Sequence, residues 1–180
     1  MRKRYISLIV GAVLLIAVSV GATYALLVTS SNAVVNTFTV GGVDITLTET
    51  TGDKYIMAPG VTVVKDPSIT VIAKSESSWL FVKVEKENNF DVFCTYEIQD
   101  GWTALEGYDG VFYQKVEKSS SNQVFQVLKN NSIVVRATVT EEELNAVSAN
   151  PKLNFTAYAA QSDSLATAGD AWNALHQGKE

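Results

Sequence analysis

The sequence predicts an all-β protein: an antiparallel β-sandwich with one or two short helices, preceded by an N-terminal signal helix. Three observations lead to this class. β-branched and aromatic residues gather in short runs that alternate with polar ones. Turn residues interrupt those runs about every eight to twelve positions, as in sandwiches. The one long apolar run of the 180-residue chain lies at its very start.

Arg2, Lys3 and Arg4 precede an apolar run from Ile6 to Val20, and Gly21 and Ala22 then lead into Thr23-Tyr24-Ala25. A basic start, an apolar run of roughly 7–15 residues and a small-x-small end define a secretory signal peptide. The expected cut falls between Ala25 and Leu26, with Thr23, Tyr24, Ala25 and Leu26 forming the cleavage site. The run reaches the ~20 residues of a membrane span only by continuing through Leu26, Leu27 and Val28. An uncleaved anchor is therefore the alternative, and the uncleaved signal is the only membrane attachment expected. The chain then divides into a signal peptide (1–25), a leader or donor strand (26–35) and a single β-sandwich domain (36–180).

The segment 26–35 is apolar and β-prone at both ends, with Leu26, Leu27 and Val28 at one and Ala33, Val34 and Val35 at the other. The first long strand is expected from Phe38 to Thr50, bent at Gly41-Gly42, with Val43, Ile45 and Leu47 on one face. Turns are expected at Thr51–Lys54 and at Ala58-Pro59-Gly60. Short strands follow at Val61–Val64 and Ser68–Lys74, separated by Asp66-Pro67. Trp79–Glu85 is the strongest strand; Leu80, Val82 and Val84 should face the core, with Trp79 and Phe81 partly covered on the other face.

Phe90–Ile98 and Trp102–Leu105 read as strands. Asp109-Gly110 supplies the tight turn of a hairpin into Val111–Val116. Strands at Val124–Leu128 and Ile133–Thr140 flank a Lys129–Ser132 loop. Thr140 and Glu143 have the spacing of a capping box, so a short helix starts there with Leu144 and Val147 packed inward. Leu153–Ala160 is the last strand, with Leu153, Phe155, Ala157 and Ala159 on one face. Leu165, Ala168, Trp172 and Leu175 recur at helical spacing over Ser164–His176.

Gly21-Ala22-Thr23-Tyr24-Ala25, Asn36-Thr37-Phe38-Thr39-Val40-Gly41 and Val43-Asp44-Ile45-Thr46-Leu47-Thr48 together resemble the camelysin/TasA family. So do Pro59-Gly60, Lys65-Asp66 and Trp79-Leu80-Phe81-Val82-Lys83-Val84. The chain differs from the family pattern at Ala22, often a glycine, and at Leu26–Thr29, where an aromatic and an acidic residue are common. The resemblance covers the signal and about the first half of the domain. It implies a jelly roll, secretion from a Gram-positive bacterium through a SipW-type signal peptidase, and a place in a fibrous extracellular matrix.

Three of the 14 Lys and Arg lie in residues 1–25 and all 19 Asp and Glu lie beyond them. Residues 26–180 therefore carry 11 basic and 19 acidic side chains, a formal charge of −8. That balance repels phosphate backbones, so no nucleic-acid partner is expected. Cys94 is the only cysteine, which leaves no internal disulfide or zinc–thiolate set. It reads as a buried small side chain, with an intermolecular bridge as the alternative if it is exposed.

His176 is the only histidine. A two-His metal site or a His-based triad cannot be built from it within one chain, and HExxH and G-x-S-x-G are absent. The expectation is no catalytic residue, no cofactor and no metal. Asp44, Asp53, Asp100 and Asp109 sit singly beside turns, and Glu141–Glu143 suit a helix N-terminus. Two glycosylation sequons, at Asn130 and Asn154, carry little meaning in a bacterial chain. Trp79, Trp102 and Trp172 are either core residues or a sugar-binding platform.

The expected function is a secreted structural protein of the extracellular matrix or cell surface. It would self-assemble into a homo-oligomer or fibre when one copy's 26–35 segment adds as a strand to the next. The alternative is a monomeric cell-surface binding module or a camelysin-like peptidase.

Overall fold

The computed structural model describes residues 35–51, 57–146 and 151–177. The signal peptide with its cleavage residues, the donor segment up to Val34, positions 52–54 of the expected turn and Val147 lie outside the described residues.

The elements run β1 (Val35–Val40), β2 (Ile45–Thr48), β3 (Thr62–Val64), β4 (Ser68–Val71), β5 (Ser78–Glu87), α1 (Phe90–Phe93), β6 (Cys94–Ile98), β7 (Thr103–Ala104) and β8 (Val111–Val116). They continue with β9 (Gln123–Gln126), β10 (Leu128–Val135), α2 (Glu141–Asn145), β11 (Lys152–Gln161) and α3 (Ala168–His176). Among the described residues the protein is thus mostly strand, with three short helices, and the all-β expectation holds.

The large sheet has the order β1-β11-β5-β8-β7. Two smaller sheets, β2-β4-β9 and β3-β10-β6, run on into each other. Only Lys65-Asp66-Pro67 separates β3 from β4, and only Val127 separates β9 from β10. Two backbone bonds stitch this junction: Val127 N–H donates to the Pro67 carbonyl (3.0 Å), and Lys65 N–H donates to that of Asn131 (2.7 Å).

Alternation decides what lies between the layers. Leu80, Val82 and Val84 of β5 and Leu153, Phe155, Ala157 and Ala159 of β11 enter one core. Val43, Ile45, Leu47, Ile69 and Val71 meet them from one small sheet, and Val63, Ile133, Val135 and Cys94 from the other. The outer face of the large sheet has its own cover. Phe81, Tyr158 and Ala160 pack under Ala168, Ala171 and Trp172 of α3. β11 is therefore buried on both faces, which accounts for small side chains at Ala157, Ala159 and Ala160 in a strand that would otherwise favour branched residues.

α2 is capped as its spacing requires. Glu143 N–H donates to Thr140 Oγ1 (3.2 Å), and Thr140 N–H donates to Glu143 Oε2 (2.8 Å). Leu144 packs against the core from this helix. The C-terminal helix is shorter than expected: Thr167 caps α3 by accepting from Asp170 N–H at 3.1 Å, so the helix starts at Ala168.

Five expectations are corrected. The sheets are not wholly antiparallel, because β1 pairs parallel with β11. Phe38–Thr50 is not one bent strand but two, β1 and β2, in different layers. The bend at Gly41-Gly42 is the corner between them, where Gly41 takes φ +88°. Phe90–Phe93 is a turn of helix, since Phe90 and Phe93 both pack inward, a spacing a strand cannot satisfy.

Lys129–Ser132 is part of β10 and not a loop between strands. Asn130 and Asn131 both adopt positive φ there, and the pairing with β6 shifts register between Leu128 and Ile133. Trp102–Leu105 yields only the two-residue strand β7. Cys94, in contrast, is buried as expected, and burial pushes its thiol pKa up despite the opposing charge of Arg136.

Candidate functional site

A sheet edge offers unpaired main-chain donors and acceptors, and proteins usually blunt it with shortness, charge, proline or a bulge. The large sheet has two edges of different character. β7 is two residues long and so is self-limiting. β1 is six residues long, reads Val-Asn-Thr-Phe-Thr-Val, and has neither charge nor proline. Among the described residues no strand lies on its far side.

β1 is held firmly on its inner side. Its register on β11 runs without a break from Val35 opposite Phe155 to Val40 opposite Ala160. The Phe38 ring stacks on Tyr158 at 5.0 Å and 17°, and Tyr158 in turn meets Trp172 of α3 at 5.0 Å. At its exit, Gly42 N–H donates to Gln161 Oε1 (3.4 Å), and a β-carbon on Gly41 would sit 2.8 Å from that side chain. The strand thus presents a rigid, uncharged edge with its first residue at the end of the segment read as a donor strand.

Of the residues singled out for function, the structure places only Val35, and it pairs within its own chain. Thr23, Tyr24, Ala25, Leu26, Leu27, Val28, Ala33 and Val34 lie outside the described residues.

A polar node, unseen in the sequence beyond the Lys65-Asp66 dipeptide, pins the end of β2 to the β3–β4 junction. The Lys65 side chain, only 9 % exposed, sets its ammonium 2.6 Å from Glu49 Oε1 and 5.5 Å from the centre of the Phe155 ring. Asp66 Oδ1 accepts from Thr50 N–H (2.9 Å), Thr51 N–H (3.2 Å) and the Thr51 hydroxyl (3.0 Å), and Oδ2 accepts from the Thr50 hydroxyl. Partial burial pushes the Asp66 carboxyl up, but these hydrogen bonds outweigh it and hold its pKa below the ordinary 3.8.

A carboxyl with a lower pKa in the folded chain stabilises the fold above its ordinary value. That contribution is lost as pH falls through the lower, folded value. Asp66→Asn is therefore expected to reduce stability near neutral pH and to shallow its decline in acid. Urea midpoints taken between about pH 7 and about pH 2 measure this, and parallel acid limbs for the two proteins would contradict it.

The other chemical candidates are dispersed. His176 packs its ring on Trp172 at 4.3 Å, with Nδ1 2.7 Å from the Trp172 carbonyl oxygen. Trp172 is buried on the inner face of α3, and Trp79 donates its indole N–H to the Leu165 carbonyl (2.9 Å). Trp102 stands apart from both, so the three tryptophans form no common platform. No group of three or more His, Cys, Asp or Glu that could hold a metal ion occurs among the described residues. No helix among them is long and apolar enough to cross a membrane.

Among the described residues the fold is all-β, with a parallel strand at one edge of its large sheet. Compared with protein-family models, curated proteins and solved structures, the chain finds no match.

Proposed function

We propose that the chain is a secreted structural protein of the extracellular matrix or cell surface, of the camelysin/TasA type, with its strands in a jelly-roll arrangement. After cleavage at Ala25–Leu26, residues 26–34 of one copy add as a strand to the β1 edge of the next. Main-chain hydrogen bonds supply the affinity and alternate side chains the fit. Such head-to-tail addition does not close on itself, so it builds a filament.

The observation that carries this reading is the β1 edge, which has no further strand beside it among the described residues and follows directly on the segment proposed to fill it. The basic, apolar and small-residue pattern of residues 2–25 supports secretion. The acidic balance of residues 26–180 suits a protein that stays soluble until strands engage.

The test compares a protein starting at Leu26 with one starting at Val35, which keeps all of β1. Both are expected to unfold at similar denaturant concentrations, because β1 and the core are intact. Only the longer form should sediment as polymers. Equal assembly of the two, or none by the longer form at any concentration that keeps it folded, would refute strand donation.

A further inference from the structure

The sandwich is open between β8 of the large sheet and β9 of a small one. A shallow, open cleft of about 410 Å³ lies there, lined also by residues of the Gln99–Trp102 turn. We propose that this cleft binds a neutral oligosaccharide, with a sugar ring against Trp102 and its hydroxyls on the surrounding amides. The inference does not rest on the assembly reading.

The first argument is Gln114. In β8 the inward positions are 112, 114 and 116, and both Phe112 and Val116 join the core. Gln114 occupies the place between them, half-buried, where the alternation asks for an apolar residue. Its amide makes no hydrogen bond among the described residues and, since it is not buried without a partner, it keeps contact with solvent. It is directed into the cleft.

The second argument is Trp102. Its indole N–H donates to the Gln126 carbonyl at 2.8 Å, which fixes the plane of a half-buried ring that lines the cleft. An immobilised aromatic face matches the C–H face of a pyranose at little entropic cost.

The third is the polar lining. The side-chain amides of Gln99 and of the exposed Gln126 line the cleft as well. Each amide offers both donors and acceptors, as sugar hydroxyls do. The one charged residue in the lining, Asp100, lies 4.0 Å from Lys129, and no cation lines the cleft. Lys129 is already engaged by Asp100 and Glu97, and the lining itself carries no positive charge for a phosphorylated or carboxylated ligand. The volume falls within the ~300–1,000 Å³ of small-molecule sites.

The experiment uses the protein starting at Leu26, kept below the concentration at which it sediments as polymers, with nitrogen-labelled indoles followed by NMR. The probes are the tetrasaccharides of β-1,4-glucose, α-1,4-glucose and β-1,4-N-acetylglucosamine. At least one should shift the Trp102 indole resonance saturably, with a Kd of about 1 mM or tighter, and leave those of Trp79 and Trp172 in place. Gln114→Leu should weaken that binding by roughly fivefold or more while holding or raising the thermal midpoint. Gln114→Ala provides the same reading should the larger side chain disturb the cleft.

Any of three results overturns the proposal. One is no saturable shift with any probe up to about 20 mM. Another is binding undiminished in both Gln114 variants. The last is a Trp102 resonance that responds to protein concentration and not to sugar, which would show that the cleft receives a second copy of the chain.

Discussion

Leu80→Ala is expected to destabilise the protein by about 2–5 kcal/mol, the range for emptying a fully buried leucine site. Leu80 lies in β5 with no exposed surface, between Ala159 on one neighbouring strand and Gln114 on the other. Its side chain enters the core where both layers meet. β11 cannot fill the gap, because its nearest partner is already an alanine locked in a ten-residue antiparallel register. The loss should appear as a lower denaturant midpoint at unchanged slope. An unchanged midpoint would mean that the core does not depend on this face of β5.

Gly110→Ala is expected to cost about 3 kcal/mol or more, from a positive φ and an overlap combined. Gly110 sits at φ +70°, and an added β-carbon would run into the carbonyl oxygen of Val84. That oxygen is backbone of the central strand β5 and cannot rotate away. The two segments are also tied, since Val84 N–H donates to the Gly110 carbonyl at 2.8 Å. Gly107→Ala, where a new methyl meets nothing within 4 Å, is the control and should cost less. Equal thermal midpoints for the two variants would show that the turn moves away from β5 without penalty. The Asp-Gly pair announces a turn in the sequence, but the carbonyl behind it belongs to a residue 26 positions earlier.

That contrast holds across the chain. Period-two alternation identified Leu80, Val82 and Val84, the Val43–Leu47 set and the Leu153–Ala159 set, and all of these enter the core. Burial imposes that period on each strand separately, so a local reading suffices. The capping box at Thr140 and Glu143 was legible for the same reason: donor and acceptor lie three residues apart and need no distant partner.

Partner choice is different, because alternation reports which face is buried and not against what. Nothing in Val35–Val40 specifies a parallel neighbour at Phe155–Ala160, and nothing in Gly41-Gly42 distinguishes a bulge from a change of layer. The tertiary structure made both choices, when Phe38 found Tyr158 beneath α3 and Val43–Leu47 found the opposite layer. It also turned Asn130-Asn131 from a loop into a bulge and set Gln114 beside Trp102. The sequence by itself determined most of the strands, most of their buried faces and the signal-like start. Which edge stays open, and which polar side chains share a cleft, was decided only where residues remote along the chain compete for the same buried space.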